Sequence, residues 1–221
     1  MNNYFKWETQ TINDFSETKI NNQYDNGYVF TRIDKGVMNQ TRSIRINLNN
    51  FKLTSENRRV LNKTSTLNIQ PIPLPLDIKT YDWSIQKLAK EYYETKFGKN
   101  IFSVNKIKEI LTSNTSNYNY IFKYTDINNE LIGYAIVYMN NEILHYAYPF
   151  YNLSKYQNNY GMSMMLHTIQ YAKENNIKYI YLGSATKPQD RYKILFEGLE
   201  WYDINRWEQD IDKLKDIINN E

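Results

Sequence analysis

The chain has 221 residues, 41% hydrophobic and 23% charged, which suits one large domain or a domain with a substantial extension. It has no Cys and two His, which excludes disulfides, a thiolate metal site and a Cys nucleophile, and leaves little material for a His-built metal centre. A net charge of +3 is too small to argue for nucleic acid by itself. No apolar run approaches the roughly 20 residues of a membrane span, and no signal peptide is seen, so a soluble cytoplasmic protein with no membrane partner is expected.

Met1 to Asn26 is rich in Asn, Thr and Tyr and poor in aliphatics, and reads as irregular structure or a frayed arm. Tyr28 to Ile33 is a candidate strand. In Ser43 to Leu48, Ile44, Ile46 and Leu48 alternate with Arg45 and Asn47, which predicts a half-buried strand with Arg45 on its polar face. Thr54 or Ser55 caps a short helix from Glu56 to Asn62. Pro71, Pro73 and Pro75 make Leu67 to Leu76 an extended connector rather than a central strand or helix. The boundary between an N-terminal extension (1–76) and the main domain (77–221) is placed there.

A helix from Tyr81 to Lys96 is expected to start at a Thr80 cap and stop at Gly98. A shorter helix from Val104 to Leu111 follows Ser103. Three strand-like runs come next, Tyr118–Tyr124, Leu131–Met139 and Ile143–Phe150, joined by Asn- and Asp-rich turns. Pro149 is expected to end or bulge the third. Tyr160 to Asn175 is a helix, Ile177 to Leu182 an interior strand, Gln189 to Phe196 one or two helical turns, Leu199 to Tyr202 a last short strand, and Arg206 to Ile218 a terminal amphipathic helix.

Charge is uneven. Arg42, Arg45, Lys52, Arg58, Arg59 and Lys63 face only Glu56 within residues 42–63, a local net of +5. Residues 197–221 carry eight acids against three bases, a net of −5. A polyanion is therefore expected at one end only. The element order, helix, helix, three antiparallel strands, helix, strand, short helix, strand, is that of the α+β GNAT-type acyltransferase fold. In that fold the third strand and the strand after the helix splay apart to admit an acyl donor.

Four stretches carry a more specific likeness. His145-Tyr-Ala-Tyr-Pro-Phe-Tyr151 is an aromatic strand ending in a Tyr-x-Pro-x-Tyr element. Gly161 to Gly183 spans a helix and Lys178-Tyr-Ile-Tyr-Leu-Gly183. Arg191-Tyr192-Lys193 forms a charged turn, and Thr54-Ser-Glu-Asn-Arg-Arg-Val60 lies upstream. Together they resemble the arginyl-tRNA–protein transferase family, whose C-terminal half is GNAT-like. That family's N-terminal half usually carries a Cys cluster holding a metal or iron–sulfur centre, which a chain without Cys cannot have. The loop Asn158-Asn-Tyr-Gly161 also departs from the Gly-rich pyrophosphate loop of acetyl-CoA enzymes, which argues against coenzyme A as donor.

The resemblance implies transfer of an amino acid, arginine by the family's name, from aminoacyl-tRNA to a protein N-terminal amine, with no resident cofactor. Tyr148, Tyr192 and Lys193 are then the candidates for catalysis. His145, Tyr146, Asn159, Tyr160, Gly161, Gly183, Ser184 and Arg191 are the candidates for substrate binding, and Arg42, Arg45, Arg58, Arg59 and Lys63 for tRNA. Backbone N–H groups beside Tyr148–Phe150 would stabilise a tetrahedral oxyanion. Arg191 or Lys193 would face an acidic acceptor residue. Plainer readings stand beside these: Gly161 relieves crowding, Tyr192 and Lys193 are surface turn residues, His145 is a packed strand histidine, and Tyr146, Tyr148 and Tyr151 pack the sheet. The competing activities are an N-acetyltransferase using acetyl-CoA, a ligase of the kind that extends peptidoglycan peptides, and a catalytically silent RNA- or protein-binding module. The sequence leaves the oligomeric state open.

Overall fold

The computed structural model describes residues 5–64, 67–155 and 160–220. It divides into two compact units. One is built from Met1–Glu56, Asn140–His145 and Ala172–Glu221, the other from Asn57–Met139 and Tyr146–Tyr171. Both units therefore interleave distant parts of the chain, and residue 76 marks no change of unit.

The first unit holds a three-stranded sheet of β1 (Glu8–Thr11), β3 (Val37–Gln40) and β2 (Tyr28–Phe30), in that order. It also holds the strand series β11 (Arg206–Glu208), β10 (Leu199–Asp203), β4 (Ser43–Asn47), β9 (Tyr179–Ser184) and the first residues of β8 (Ile143–Tyr151). The pairs β10–β11, β4–β10 and β4–β9 are antiparallel, whereas β8 and β9 are parallel. Helices α1 (Glu17–Asp25) and α6 (Ile211–Asn220) complete this unit. The expected arm at Met1 to Asn26 instead contains β1 and α1. Ser16 caps α1 through the Lys19 N–H, and Ile20 and Tyr24 are buried. The few apolar residues sit one turn apart on one helix face, a pattern that mean composition hides.

The second unit contains α2 (Ser55–Lys63) from Asn57 onward, β5 (Asn68–Pro73), α3 (Ser84–Phe97), α4 (Val104–Thr112), β6 (Tyr120–Thr125), β7 (Leu131–Met139), the rest of β8, and α5 (Tyr160–Glu174) as far as Tyr171. Its strand order is β8-β7-β6-β5. The expected connector at Leu67 to Leu76 is an edge strand: β5 pairs with β6 from Asn68↔Thr125 to Pro73↔Tyr120. Pro71 and Pro73 are two apart, so both missing N–H groups fall on one side of the strand, and an edge tolerates that. Every interior residue of β7 is buried, and at Gly133 an added Cβ would lie 2.4 Å from the Phe150 carbonyl oxygen and 2.5 Å from the Tyr151 Cβ.

Turn chemistry sets the hairpins. The Asp126 carboxylate accepts the N–H groups of Asn128 and Glu130 between β6 and β7. Asn140 Oδ1 accepts those of Glu142 and Ile143 before β8. Pro149 does not end β8, which continues to Tyr151, and its carbonyl accepts the Tyr93 hydroxyl at 3.1 Å. Thr80 is not the cap of α3; Asp82 accepts the Ser84 N–H at its start, and Gly98 closes it as expected. The terminal helix is shorter than its pattern predicts. Arg206–Glu208 folds back on β10 as β11, through a turn in which Ile204 has φ 55°, and the helix begins at Ile211. Among the described residues, no helix is long and apolar enough to cross a membrane.

Candidate functional site

In the first unit the candidate residues gather at the ends of β8 and β9. The two strands pair as Ile143↔Tyr179, Leu144↔Ile180 and His145↔Tyr181. Beyond His145 and Tyr181 the parallel register stops, although β8 runs to Tyr151 and β9 to Ser184. His145 is therefore the last residue of β8 in register with β9. It is 3% exposed, and its Nδ1 lies 2.9 Å from the Tyr24 hydroxyl. Burial, then the nearby Lys193 charge, pulls its pKa down to about 3, so the ring is neutral at physiological pH. His145 is a packed, hydrogen-bonded histidine, the plainer of its two readings.

After β9 the chain enters a 3₁₀ turn, Pro188–Ile194, which carries the Arg-Tyr-Lys motif. Asp190 organises it. Its Oδ2 accepts the N–H groups of Thr186 and Lys187, and its Oδ1 accepts Lys193 Nζ at 2.8 Å. Lys193 Nζ also donates to the Ser184 carbonyl at 2.8 Å, which pins the ammonium over the end of β9. Gly183 has φ +80°, and an added Cβ there would meet nothing within 4 Å. A side chain would have room, but the backbone would be strained. Tyr192 is 44% exposed beside Lys193. Arg191 points elsewhere and donates to Asn219 on α6. The structure thus brings His145, Gly183, Ser184, Tyr192 and Lys193 to one region and turns Arg191 away from it.

In the second unit Tyr146 is 3% exposed, a core position. Tyr148 is half-buried. Its ring packs on Phe102 and Tyr118, at centroid distances of 5.3 and 5.4 Å, and its hydroxyl accepts the Tyr118 hydroxyl at 3.4 Å. Tyr160 and Gly161 open α5. A Cβ on Gly161 would touch the Tyr151 ring no closer than 3.4 Å, an ordinary contact, so relief of crowding does not explain this glycine. Asn159 lies outside the described residues.

The basic segment divides. Arg58, Arg59 and Lys63 are exposed on α2. Arg42 and Arg45 are 6% and 7% exposed, so neither lies on a solvated basic face as the sequence pattern predicts. Arg42 sits over the Phe5 ring and donates to the Ala185 carbonyl. Arg45 lies between the rings of Tyr179 and Trp207, 3.9 Å from each centroid. It donates to Glu200 at 2.7 Å, Asp25 at 2.8 Å and the Tyr181 hydroxyl at 3.2 Å. β4 is an inner strand, between β9 and β10, and its side chains are buried on both faces, so a charged residue there survives only by pairing. Sequence reasoning missed Asp190, Tyr24, Tyr181 and Glu200. Only Asp190 carried a local signal, an acid three residues before Lys193.

Comparisons with known proteins agree with this frame. Residues 80–203 match the family described as Arginine-tRNA-protein transferase, C terminus. An aspartate/glutamate leucyltransferase from Ruegeria sp. is 26% identical over 173 residues, covering 75% of this chain and 60% of that protein. One from Alkalilimnicola ehrlichii is 25% identical over 169 residues, covering 75% of this chain and 69% of that protein. Among solved structures, L-PGS from Bacillus licheniformis matches with a TM-score of 0.50 at 12% identity, over 91% of this chain and 70% of that one, a likeness of fold alone. The strand pairs are largely antiparallel with one parallel pair, and the fold is α+β and GNAT-like. With residues 80–203, more than half of its length, matched, the chain belongs to the arginine-tRNA-protein transferase C-terminus family.

Proposed function

We propose that this chain transfers an amino acid from aminoacyl-tRNA to the N-terminal amine of a protein. The support is family membership, together with relatives named as leucyltransferases. Those relatives put leucine beside arginine as the transferred residue, and their names make an acidic N-terminal residue the natural acceptor. The reaction is aminolysis of an ester. The acceptor nitrogen attacks the aminoacyl carbonyl, a C–N bond forms, the C–O bond to the ribose breaks, and the proton lost by the amine ends on the departing hydroxyl. A free α-amine has a pKa near ~8, so an appreciable fraction is neutral without a strong base. That suits a region whose only histidine is buried and neutral.

The single observation that carries the reading is the pinned ammonium of Lys193 beside Gly183 and Tyr192, held by Asp190 and the Ser184 carbonyl. On this reading Lys193 is the cation that meets the acceptor's carboxylate, Tyr192 is the exposed hydroxyl that passes the proton, and Arg58, Arg59 and Lys63 are the contacts to tRNA. Titration with arginyl-tRNA, leucyl-tRNA and acetyl-CoA tests it. Binding of at least one charged tRNA is expected. Tight acetyl-CoA binding with no tRNA binding would replace this reading with an acetyltransferase.

A further inference from the structure

The solvent face of α3 carries an order of side chains that the site described above does not use. Ile85, Ala89 and Tyr93 face the core. At 3.6 residues per turn, Trp83, Lys87, Lys90, Glu94 and Phe97 fall within about 40° either side of one line, which lies about 120° round the helix from the line of Ile85, Ala89 and Tyr93. Trp83 is 63% exposed and Phe97 59%, the two ends of the stripe. They are separated by about 21 Å along the helix axis at 1.5 Å per residue. Lys87 lies 5.7 Å from the Trp83 ring centroid. Lys96 and the exposed Lys99 flank Phe97.

Phe97 is stacked on Tyr93, at 5.8 Å and 27°, and Tyr93 is itself packed edge-on against Phe102. One face of the Phe97 ring is thus backed by a fixed aromatic pile while the ring remains largely in water. A ring held this way loses little entropy when a planar group stacks on it. The two lysines of the stripe pair with Glu91 and Glu94 only at 3.9 and 4.0 Å, between exposed side chains. Such contacts are weak and exchange readily for a phosphate. Over residues 83–99 four lysines stand against two glutamates, a net of +2.

We propose that this stripe is a second RNA-binding surface, in which Trp83 and Phe97 stack on bases and Lys87, Lys90, Lys96 and Lys99 contact the backbone of the aminoacyl-tRNA. The proposal rests on the tRNA-dependent reading above. Stacking rings at the ends with cations between them suits a strand of nucleotides. A helix lying on a bilayer needs a continuous apolar face, and here lysines and a glutamate interrupt it.

The test is fluorescence anisotropy with a labelled, uncharged tRNA transcript, over a salt series, on the full chain. Trp83→Ala with Phe97→Ala is expected to weaken binding roughly tenfold or more, while Phe97→Tyr retains it. Lys87→Gln with Lys90→Gln is expected to lower the slope of log K against log salt by about 1 to 2. All four substituted side chains are exposed, and circular dichroism confirms that the variants fold. Affinity within twofold of wild type in every variant would overturn the proposal and leave the tRNA-dependent function standing. A wild-type protein that binds no tRNA would remove both. Binding to vesicles of anionic phospholipid that the aromatic variants lose, with tRNA affinity unchanged, would reassign the stripe to a membrane surface.

Discussion

Replacing Arg45 with Met tests whether the basic segment is split between the core and the surface as the structure has it. The Arg45 and Glu200 side chains are 8% and 9% exposed and meet at 2.7 Å. Removing the guanidinium leaves Glu200, among the described residues, with the Gln209 amide at 3.4 Å, and takes the cation from between the Tyr179 and Trp207 rings. Breaking one partner of a buried pair costs about 3–5 kcal/mol. The contact with Asp25 adds little, because that carboxylate is 57% exposed. Since whole domains are stable by roughly 5–15 kcal/mol, Arg45→Met is expected to remove a large share of the total. Adding Glu200→Leu removes the stranded charge, and replacing both members by apolar groups is close to neutral, so the double variant recovers most of the loss. Urea unfolding of the two single variants and the double variant measures this. A loss below about 1 kcal/mol in Arg45→Met, or no recovery in the double variant, would refute the reasoning.

Four further outcomes are expected. His145→Gln alters the pH dependence of stability. The unfolded chain takes up a proton below pH 6.5 that the folded chain refuses until about pH 3, so wild-type stability falls as pH falls through that window, by up to ~1.4 kcal/mol per pH unit, and the variant loses that component. Superimposable stability–pH curves would contradict it. Gly133→Ala forces the second half of β8 away from β7, and a loss of about 2 kcal/mol or more is expected in thermal or urea unfolding. Gly161→Ala is expected to fold within about 0.5 kcal/mol of wild type, so any loss of transfer in that variant reports on substrate rather than on packing. Asp190→Asn is expected to raise KM for an acidic acceptor peptide more than it lowers kcat, because it releases Lys193, and an unchanged KM would show that Lys193 is held without Asp190.

Much of the frame was legible in the sequence. The apolar run of β7, the Ser103 cap of α4 and the Asp126 and Asn140 turns are local signals, and each formed where its chemistry placed it. The misplaced pieces share a cause, which is that their structure is set by residues far away in the chain. Trp207 leaves the helical pattern because its ring faces Arg45 and its indole N–H reaches the Asp25 carbonyl. Within Leu67 to Leu76, Asn68–Pro73 becomes a strand because β6 offers an edge. Arg45 looks like a solvated charge in any short window, and the groups that bury it, the Tyr179 and Trp207 rings and Glu200, lie far away in the chain. At the candidate site, Lys193 and Gly183 stand out in the sequence through their motifs. Tyr24, which holds His145 from 121 residues away, left no local trace.

The most direct measurement of the central claim is the mass of an acceptor. Peptides beginning with Asp, Glu and Ala are incubated with the protein and with either charged tRNA or acetyl-CoA, then analysed by mass spectrometry. The expected product is a peptide with an acidic first residue, extended by one arginine or leucine at its amine, in the charged-tRNA reaction alone. An acetylated peptide from acetyl-CoA, with no extension from either tRNA, would contradict the account.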